Sequence, residues 1–357
     1  MTMKDIAGRV GVSVNTVHKV ISNKPGVSDA VRAQILACAE EMGYHRNESA
    51  SMLRRRDLRV VVCLPSEEQE GSFYFAYLWR GVKRYAEENI DHGIAFEMRP
   101  YSLGSYAATL EAVLAECLDG QTPDGLIAYA PVEEGTVDLL TKISDKGVGV
   151  VLVDGDRPHT GRIGATVAGY AEAGNLLAEQ ALNLLPGVAG SKKVLLLAGD
   201  PHADSHADVA RVFHERFDER GLDYAVRDLY GAHAQTNELR EKLGALLSSQ
   251  DAPGLVCSVF AVGSELVADT LLELGLVGKV SVIASDLFPE NVIALRRGIF
   301  TNIVYKDPVG MAYRGAAMLG DYLLKGQLPE QSVLRGSAEL VFASNLDHYC
   351  AQAGVEA

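Results

Sequence analysis

The sequence predicts two kinds of structure in series: a small all-α head, and behind it a larger α/β body of two lobes built on parallel sheets. Three observations lead there. The head is net basic while the remainder is acidic, short helical periodicities fill the first forty-odd residues, and from Leu58 onward apolar runs alternate with helical stretches. At 357 residues the chain exceeds one ordinary domain, and 48% hydrophobic residues suffice for a sizeable core. Residues 1–56 hold nine Lys/Arg against five Asp/Glu, a net +4, and the rest holds 24 against 42, within a total of −14. A basic head on an acidic body suggests a polyanionic partner for the head alone, although so small an excess also arises by chance.

In the head, Ile6, Ala7 and Val10 share one helical face, and Gly11 ends that helix. Ser13 is an N-cap for a second helix on which Val17, Val20 and Ile21 cluster, with Asn15, His18, Lys19 and Ser22 opposite. Asn23-Lys24-Pro25-Gly26 stops it, and Ser28 caps a third helix with Val31, Ile35, Cys38, Ala39 and Met42 as its apolar stripe. Two short helices joined by a glycine turn and braced by a third form a helix-turn-helix, which fits a major groove. Periodicity alone equally allows a small helical interaction bundle.

The match is nearly continuous from Met3 to Asn47, including Asp5-Ile6-Ala7, Gly11-Val12-Ser13, Thr16-Val17, Val20 and Gly43-Tyr44, and it resembles the headpiece of LacI/GalR-type transcriptional regulators. The resemblance implies base contacts from Val14, Asn15 and Lys19, and phosphate contacts from Ser13, Thr16, Asn23, Arg54 and Arg55; His18 is a further base-contact candidate that could also touch phosphate or equally stand as a solvated surface histidine. Two positions depart from the family: His18 stands where Ser is usual and Lys19 where Arg is usual. Lysine lacks the two-pronged guanidinium that grips guanine, so the base preference at that position softens. The segment NESASMLRRR, 47–56, matches the family's hinge through Asn47, Ala50 and Leu53. There the resemblance implies a helix formed over DNA, with Leu53 wedged into the minor groove. A basic linker is the bland reading of the same residues.

In the body, strands are expected at about 59–64, 95–101, 125–129, 148–153, 162–167, 193–198, 225–229, 254–257 and 280–285, with helices between. Ligands of such sheets bind beyond the carboxyl ends of the strands, here in a cleft between lobes. The segments Arg80-Gly81-Val82, Asp124 to Ile127, Val150 to Asp154, Ser281 to Asp286 and Asp307 to Gly310 resemble the periplasmic-binding-protein fold that serves this family as regulatory core. The expected division is a headpiece at 1–46, a hinge at 47–57, a core at 58–345 and a tail at 346–357. Lobe 1 would take about 58–158 and 291–325, and lobe 2 about 159–290 and 326–345, with three crossings near 155–161, 286–290 and 325–330.

Candidate effector residues are Phe73, Tyr74, Asp154, His206, Arg211, Asp286 and Lys306. Phe73 serves equally well in the core, and Asp286 could instead cap a helix starting at Leu287. The cleft departs from the family pattern at Gly169, around Val209 and at Phe260-Ala261. Lys306, Arg211 and His206 favour an acidic or phosphorylated sugar. Five scattered cysteines, never spaced as CxxC, read as core residues in a reducing compartment, with no disulfide framework and no metal.

The opening MTMKDIAGRV has no apolar signal region, and no run approaches the roughly 18 apolar residues that span a bilayer. No GxGxxG, P-loop, GxSxG or HExxH stands in a suitable context, so no catalytic residue and no cofactor are expected. The predicted protein is a cytoplasmic, dimeric repressor of carbohydrate-related genes. It would bind a pseudo-palindromic double-stranded operator, under a sugar-like effector and without contact to a membrane. The alternatives are a regulator of this type with little or no small-molecule response, or one that needs a corepressor. The tail carries no leucine heptads, which argues against a tetramer.

Overall fold

A computed structural model describes residues 3–21, 27–42, 58–67, 73–102, 104–130, 134–185, 193–221, 224–231 and 236–355. The expected hinge, with Asn47, Ala50, Leu53, Arg54 and Arg55, lies outside these residues, as does Asn23. The chain divides into two compact units at Asp57/Leu58.

The first unit contains α1 (Met3–Val10), α2 (Val14–Ile21) and α3 (Asp29–Glu41). Ile6, Ala7, Val17, Val20, Ile35, Cys38 and Ala39 form its core, with Val10, Val12, Val31 and Met42 packed around them. The turn between α1 and α2 depends on Gly11, whose φ of 74° is a left-handed conformation that a side chain disfavours. Gly11 and Val12 both donate their N–H to the Ala7 carbonyl, closing α1. Arg9 pairs with Glu41 at 2.8 Å, tying α1 to α3.

The second unit holds two six-stranded sheets. In chain order its elements are β1 (Leu58–Cys63), α4 (Phe73–Glu88), β2 (Ile94–Met98), α5 (Tyr106–Leu118), β3 (Gly125–Tyr129), α6 (Glu134–Ser144), β4 (Gly149–Val153) and β5 (Gly164–Val167). Then come α7 (Tyr170–Leu184), β6 (Lys193–Gly199), α8 (Asp204–Asp218), β7 (Ala225–Tyr230), α9 (Thr236–Leu247), β8 (Leu255–Ser258), α10 (Ala261–Glu273), β9 (Ser281–Ser285), α11 (Pro289–Arg296), β10 (Asn302–Tyr305) and α12 (Pro308–Lys325). β11 (Val333–Arg335), β12 (Glu339–Val341) and α13 (Leu346–Ala353) complete it. The strand orders are β11-β5-β4-β3-β1-β2 and β12-β10-β9-β8-β6-β7. All pairs are parallel except β10 with β12. Their central strands are buried on both faces, which explains the unbroken apolar runs Val60–Leu64, Val150–Val153 and Val194–Ala198.

Strand pairing moves the expected lobe boundaries. β5 pairs with β4 and therefore belongs to lobe 1, although its run was expected to open lobe 2. β10 pairs with β9 and belongs to lobe 2, not lobe 1. β11 returns to lobe 1 beside β5, and β12 joins lobe 2. The three crossings accordingly fall at about 168–169, 306–307 and 336–338. Periodicity marks a strand but not its neighbour, so these boundaries were invisible before pairing was known. The expected tail is not one: Leu346, Cys350 and Ala353 line one face of α13 and are buried in the lobe 2 core.

Gly81 shows why a small residue stands in α4. A Cβ there would lie 2.2 Å from the Val309 carbonyl oxygen, so its absence lets α12 pack backbone to backbone on α4. Gly169, where the family pattern has an acid, meets the same constraint. A Cβ would lie 2.6 Å from the Gly336 oxygen, where two crossing strands run side by side. All five cysteines are buried and unpaired. No helix among the described residues is long and apolar enough to cross a membrane.

Candidate functional site

Two surfaces carry the candidate functional side chains, one on each unit. On the head, the Ser13 hydroxyl accepts the Thr16 N–H at 3.1 Å and lies 2.8 Å from the Thr16 hydroxyl, capping α2 as its sequence implies. Ser13, Val14 and Asn15 are exposed, while Val17 and Val20 anchor the opposite face in the core. Val14 is 46% exposed, an apolar side chain left at the helix tip where a thymine methyl could meet it. Thr16 and Lys19 are half-buried. The His18 side chain lies outside the described residues.

On the body, the carboxyl ends of β3, β4, β5 and β6 open on a cavity of about 290 Å³ between the lobes. Tyr129, Asp154, Asp156, Arg157 and Arg335 line it from lobe 1, and His202, Asp204, Ser205 and Asp208 from lobe 2. Tyr170, the first residue after a crossing, lines it as well. Asp154 is the centre of a tyrosine cage. Its Oδ1 accepts the Tyr74 hydroxyl at 2.9 Å and the Tyr170 hydroxyl, and its Oδ2 accepts the Tyr129 hydroxyl at 3.0 Å. Burial pushes the Asp154 carboxyl up to about 6, against the opposing pull of the three hydroxyls and of Lys306. The tyrosine hydroxyls are themselves pushed well above 10 by burial, so they stay neutral donors. Arg157 donates to Asp204 at 3.0 Å, which links the lobes at the cavity.

A second polar cluster is buried at the end of β9. Lys306 donates to the Asp286 Oδ2 at 2.8 Å and to the Ser285 hydroxyl at 2.6 Å, with both charged side chains 6% exposed. Among the described residues the Asp286 Oδ1 and the Asn291 Oδ1 have no hydrogen-bond partner. Asp154, Asp286 and Asp307 have φ of 65°, 65° and 48°. Each stands at the carboxyl end of a strand in the left-handed region, a conformation that aspartate tolerates better than most side chains.

The structure thus brings Tyr74 and Asp154 together and pairs Asp286 with Lys306. Asp286 does not cap a helix at Leu287, because α11 begins at Pro289 with Phe288 at its N-cap. His206 lies outside the cavity lining, its Nδ1 accepting the Asp200 N–H beside the Phe260 ring. Arg211 points away as well, paired at the surface with Glu215 and Asp208. The Phe73 side chain lies outside the described residues. The expectation of an acidic or phosphorylated sugar therefore loses its support. Lys306 already has a counter-charge, and His206 and Arg211 do not line the cavity. Tyr129, Tyr170, Asp204 and Arg335 were missed. Only the strand-end position of Tyr129 was a signal, while the others are brought in by crossings and the opposite lobe. Among the described residues no group of His, Cys, Asp or Glu could hold a metal ion.

Two family models match the chain. Residues 2–47 match the bacterial regulatory proteins of the lacI family, and residues 62–328 match a periplasmic binding protein domain. The chain is 25% identical over 249 residues to the HTH-type transcriptional regulator MalR of Streptococcus pneumoniae, covering 64% of this chain and 71% of MalR. It is 30% identical over 158 residues to the HTH-type transcriptional regulator GntR of Escherichia coli, covering 44% of each. Its fold is similar to a periplasmic ribose ABC transporter structure from Conexibacter woesei, with TM-score 0.69 at 18% identity over 83% of this chain and 95% of that one. It is also similar to GanP, a glucose-galactose binding protein from Geobacillus stearothermophilus, with TM-score 0.66 at 18% identity over 82% and 99%. A lacI-type headpiece, followed along one chain by a periplasmic-binding-protein domain whose strand ends open on a cleft, makes this protein a member of the LacI/GalR family of helix-turn-helix transcriptional regulators.

Proposed function

We propose that this protein is a dimeric repressor that reads a pseudo-palindromic operator and answers to a small sugar-like effector held between the lobes of its body. The observation that carries the reading is the pairing of two surfaces in one chain. The α2 tip presents Ser13, Val14 and Asn15 to solvent, and a caged strand-end carboxylate, Asp154, lines an inter-lobe cavity. A cavity of that size suits a monosaccharide. Each head of a dimer would read one half-site, with Val14, Asn15, His18 and Lys19 toward bases and Ser13, Thr16, Asn23, Arg54 and Arg55 toward phosphates. Asn47, Ala50 and Leu53 would form the minor-groove hinge. The effector acts through its differential affinity for DNA-competent and DNA-incompetent arrangements of the lobes.

A second reading, a regulator with little small-molecule response, is favoured by one observation. Asp286 is already paired with Lys306, and Asp154 already accepts three hydroxyls. The test is binding of the purified protein to fragments of its own upstream DNA at two salt concentrations, with and without candidate sugars. A specific fragment released by a sugar supports the first reading, and a specific fragment that no sugar affects supports the second. Leu53→Ala should weaken specific binding far more than nonspecific binding. Equal losses on both DNAs refute the hinge wedge.

A further inference from the structure

Resting on the reading of the cleft as an effector site, we propose that the effector carries a protonated amine, as an amino sugar does, and that Asp154 is the group that recognises it. The cavity lining includes Asp154, Asp156, Asp204 and Asp208 against Arg157, Arg335 and His202. Three of these carboxylates are matched by guanidinium groups: Asp156 by Arg162, Asp204 by Arg157 and Asp208 by Arg211. Lys306 is held by Asp286. Asp154 differs from the rest, because among the described residues only neutral hydroxyls donate to it.

A carboxylate offers about four lone-pair sites, two on each oxygen. The Asp154 Oδ1 is filled by Tyr74 and Tyr170, whereas Oδ2, among the described residues, accepts from Tyr129 alone and keeps one site. Asp154 is half-buried and lines the cavity, so the open site is within reach of a ligand there. The caging hydroxyls spend their protons on the carboxylate and turn only acceptor oxygens outward. Tyr129 and Tyr170 therefore add acceptors to the lining, not donors. Arg335 is exposed, where water and salt screen its charge. A cavity rich in acceptors around a carboxylate that, among the described residues, accepts no hydrogen bond from a cation selects a ligand that brings donors and positive charge. A charge-assisted N–H to Oδ2 supplies both.

The experiment is calorimetric titration of the full-length protein with glucosamine, galactosamine and mannosamine, each beside its parent hexose and the matching hexuronic acid. An amino sugar should bind about tenfold or more tightly than its hexose, the worth of one hydrogen bond to a charged group, and the uronic acid should not bind. Asp154→Asn should abolish that preference while still binding the hexose, its melting curve reporting that it folds. Lowering the pH from about 7 to about 5 should erode the preference in the native protein, whereas the variant, which has no preference to lose, should show none at either pH. Of the groups facing Asp154, the three tyrosines remain neutral there, and Lys306, His202, Arg157 and Arg335 are common to the native protein and the variant, so the variant controls for them. A hexose or uronic acid that binds as tightly as the amine, or a preference that survives Asp154→Asn, overturns the proposal while leaving the cleft an effector site. Failure of every sugar class to bind overturns the effector reading itself, and the amine proposal with it.

Discussion

Replacing Lys306 with Met removes an ammonium but keeps an unbranched side chain of nearly the same length, so packing is preserved and the charge is lost. In the native protein that ammonium lies 2.8 Å from the Asp286 Oδ2 and 2.6 Å from the Ser285 hydroxyl, and both charged side chains are 6% exposed. Without it the Asp286 carboxylate keeps, among the described residues, a single donor, the Ser285 hydroxyl at 3.1 Å, while its Oδ1 has none to begin with. A carboxylate left in that position has neither water nor a counter-charge. Breaking one side of such a buried pair costs about 3–5 kcal/mol. Removing the charge from both sides, with Asp286→Asn added to Lys306→Met, should recover a large part of the loss. The assay is denaturant unfolding of the four proteins of the cycle, read as midpoints at constant slope. A Lys306→Met loss below about 1 kcal/mol, or strict additivity of the two substitutions, would refute the reasoning.

Three further outcomes are expected. Ser13→Ala removes the acceptor for the Thr16 N–H and should lower the stability of the head by about 1 kcal/mol, measured by thermal denaturation; an unchanged melting curve would contradict the capping role. Gly81→Ala forces a Cβ to within 2.9 Å of the Tyr313 backbone nitrogen and closer still to the Val309 oxygen, so overpacking should cost about 1–3 kcal/mol in unfolding experiments. The Asp154 carboxyl is raised from 3.8 to about 6, so between those values the folded state holds a proton that the unfolded chain has released. Stability should therefore fall as pH rises through that window, by up to about 3 kcal/mol, and Asp154→Asn should flatten this part of the pH profile. A native profile that rises there would contradict the assignment.

The sequence by itself marked the three helices of the head and nine of the twelve strands among the described residues of the body, while β10, β11 and β12 were not among the expected strands. The head was legible because a small helical core needs apolar residues at helical spacing, and Ile6, Val17, Val20 and Ile35 supply them. The strands of the body were legible because parallel strands buried on both faces read as unbroken apolar runs. Asp154 and Asp286 could be singled out because strand ends are where such sheets bind ligands. Tertiary structure alone decided which strands are neighbours, and hence that β5 belongs to lobe 1, β10 to lobe 2 and α13 to the core. It also decided the chemistry of the cleft. Arg211 and Lys306 both read as free cations in one dimension. Pairing with Glu215 and with Asp286 removes each from a ligand's reach. Tyr74, Tyr129 and Tyr170 lie far apart in the chain, yet they meet on one carboxylate. Local periodicity carries no record of contacts between distant segments, and the charge left for a ligand depends on those contacts.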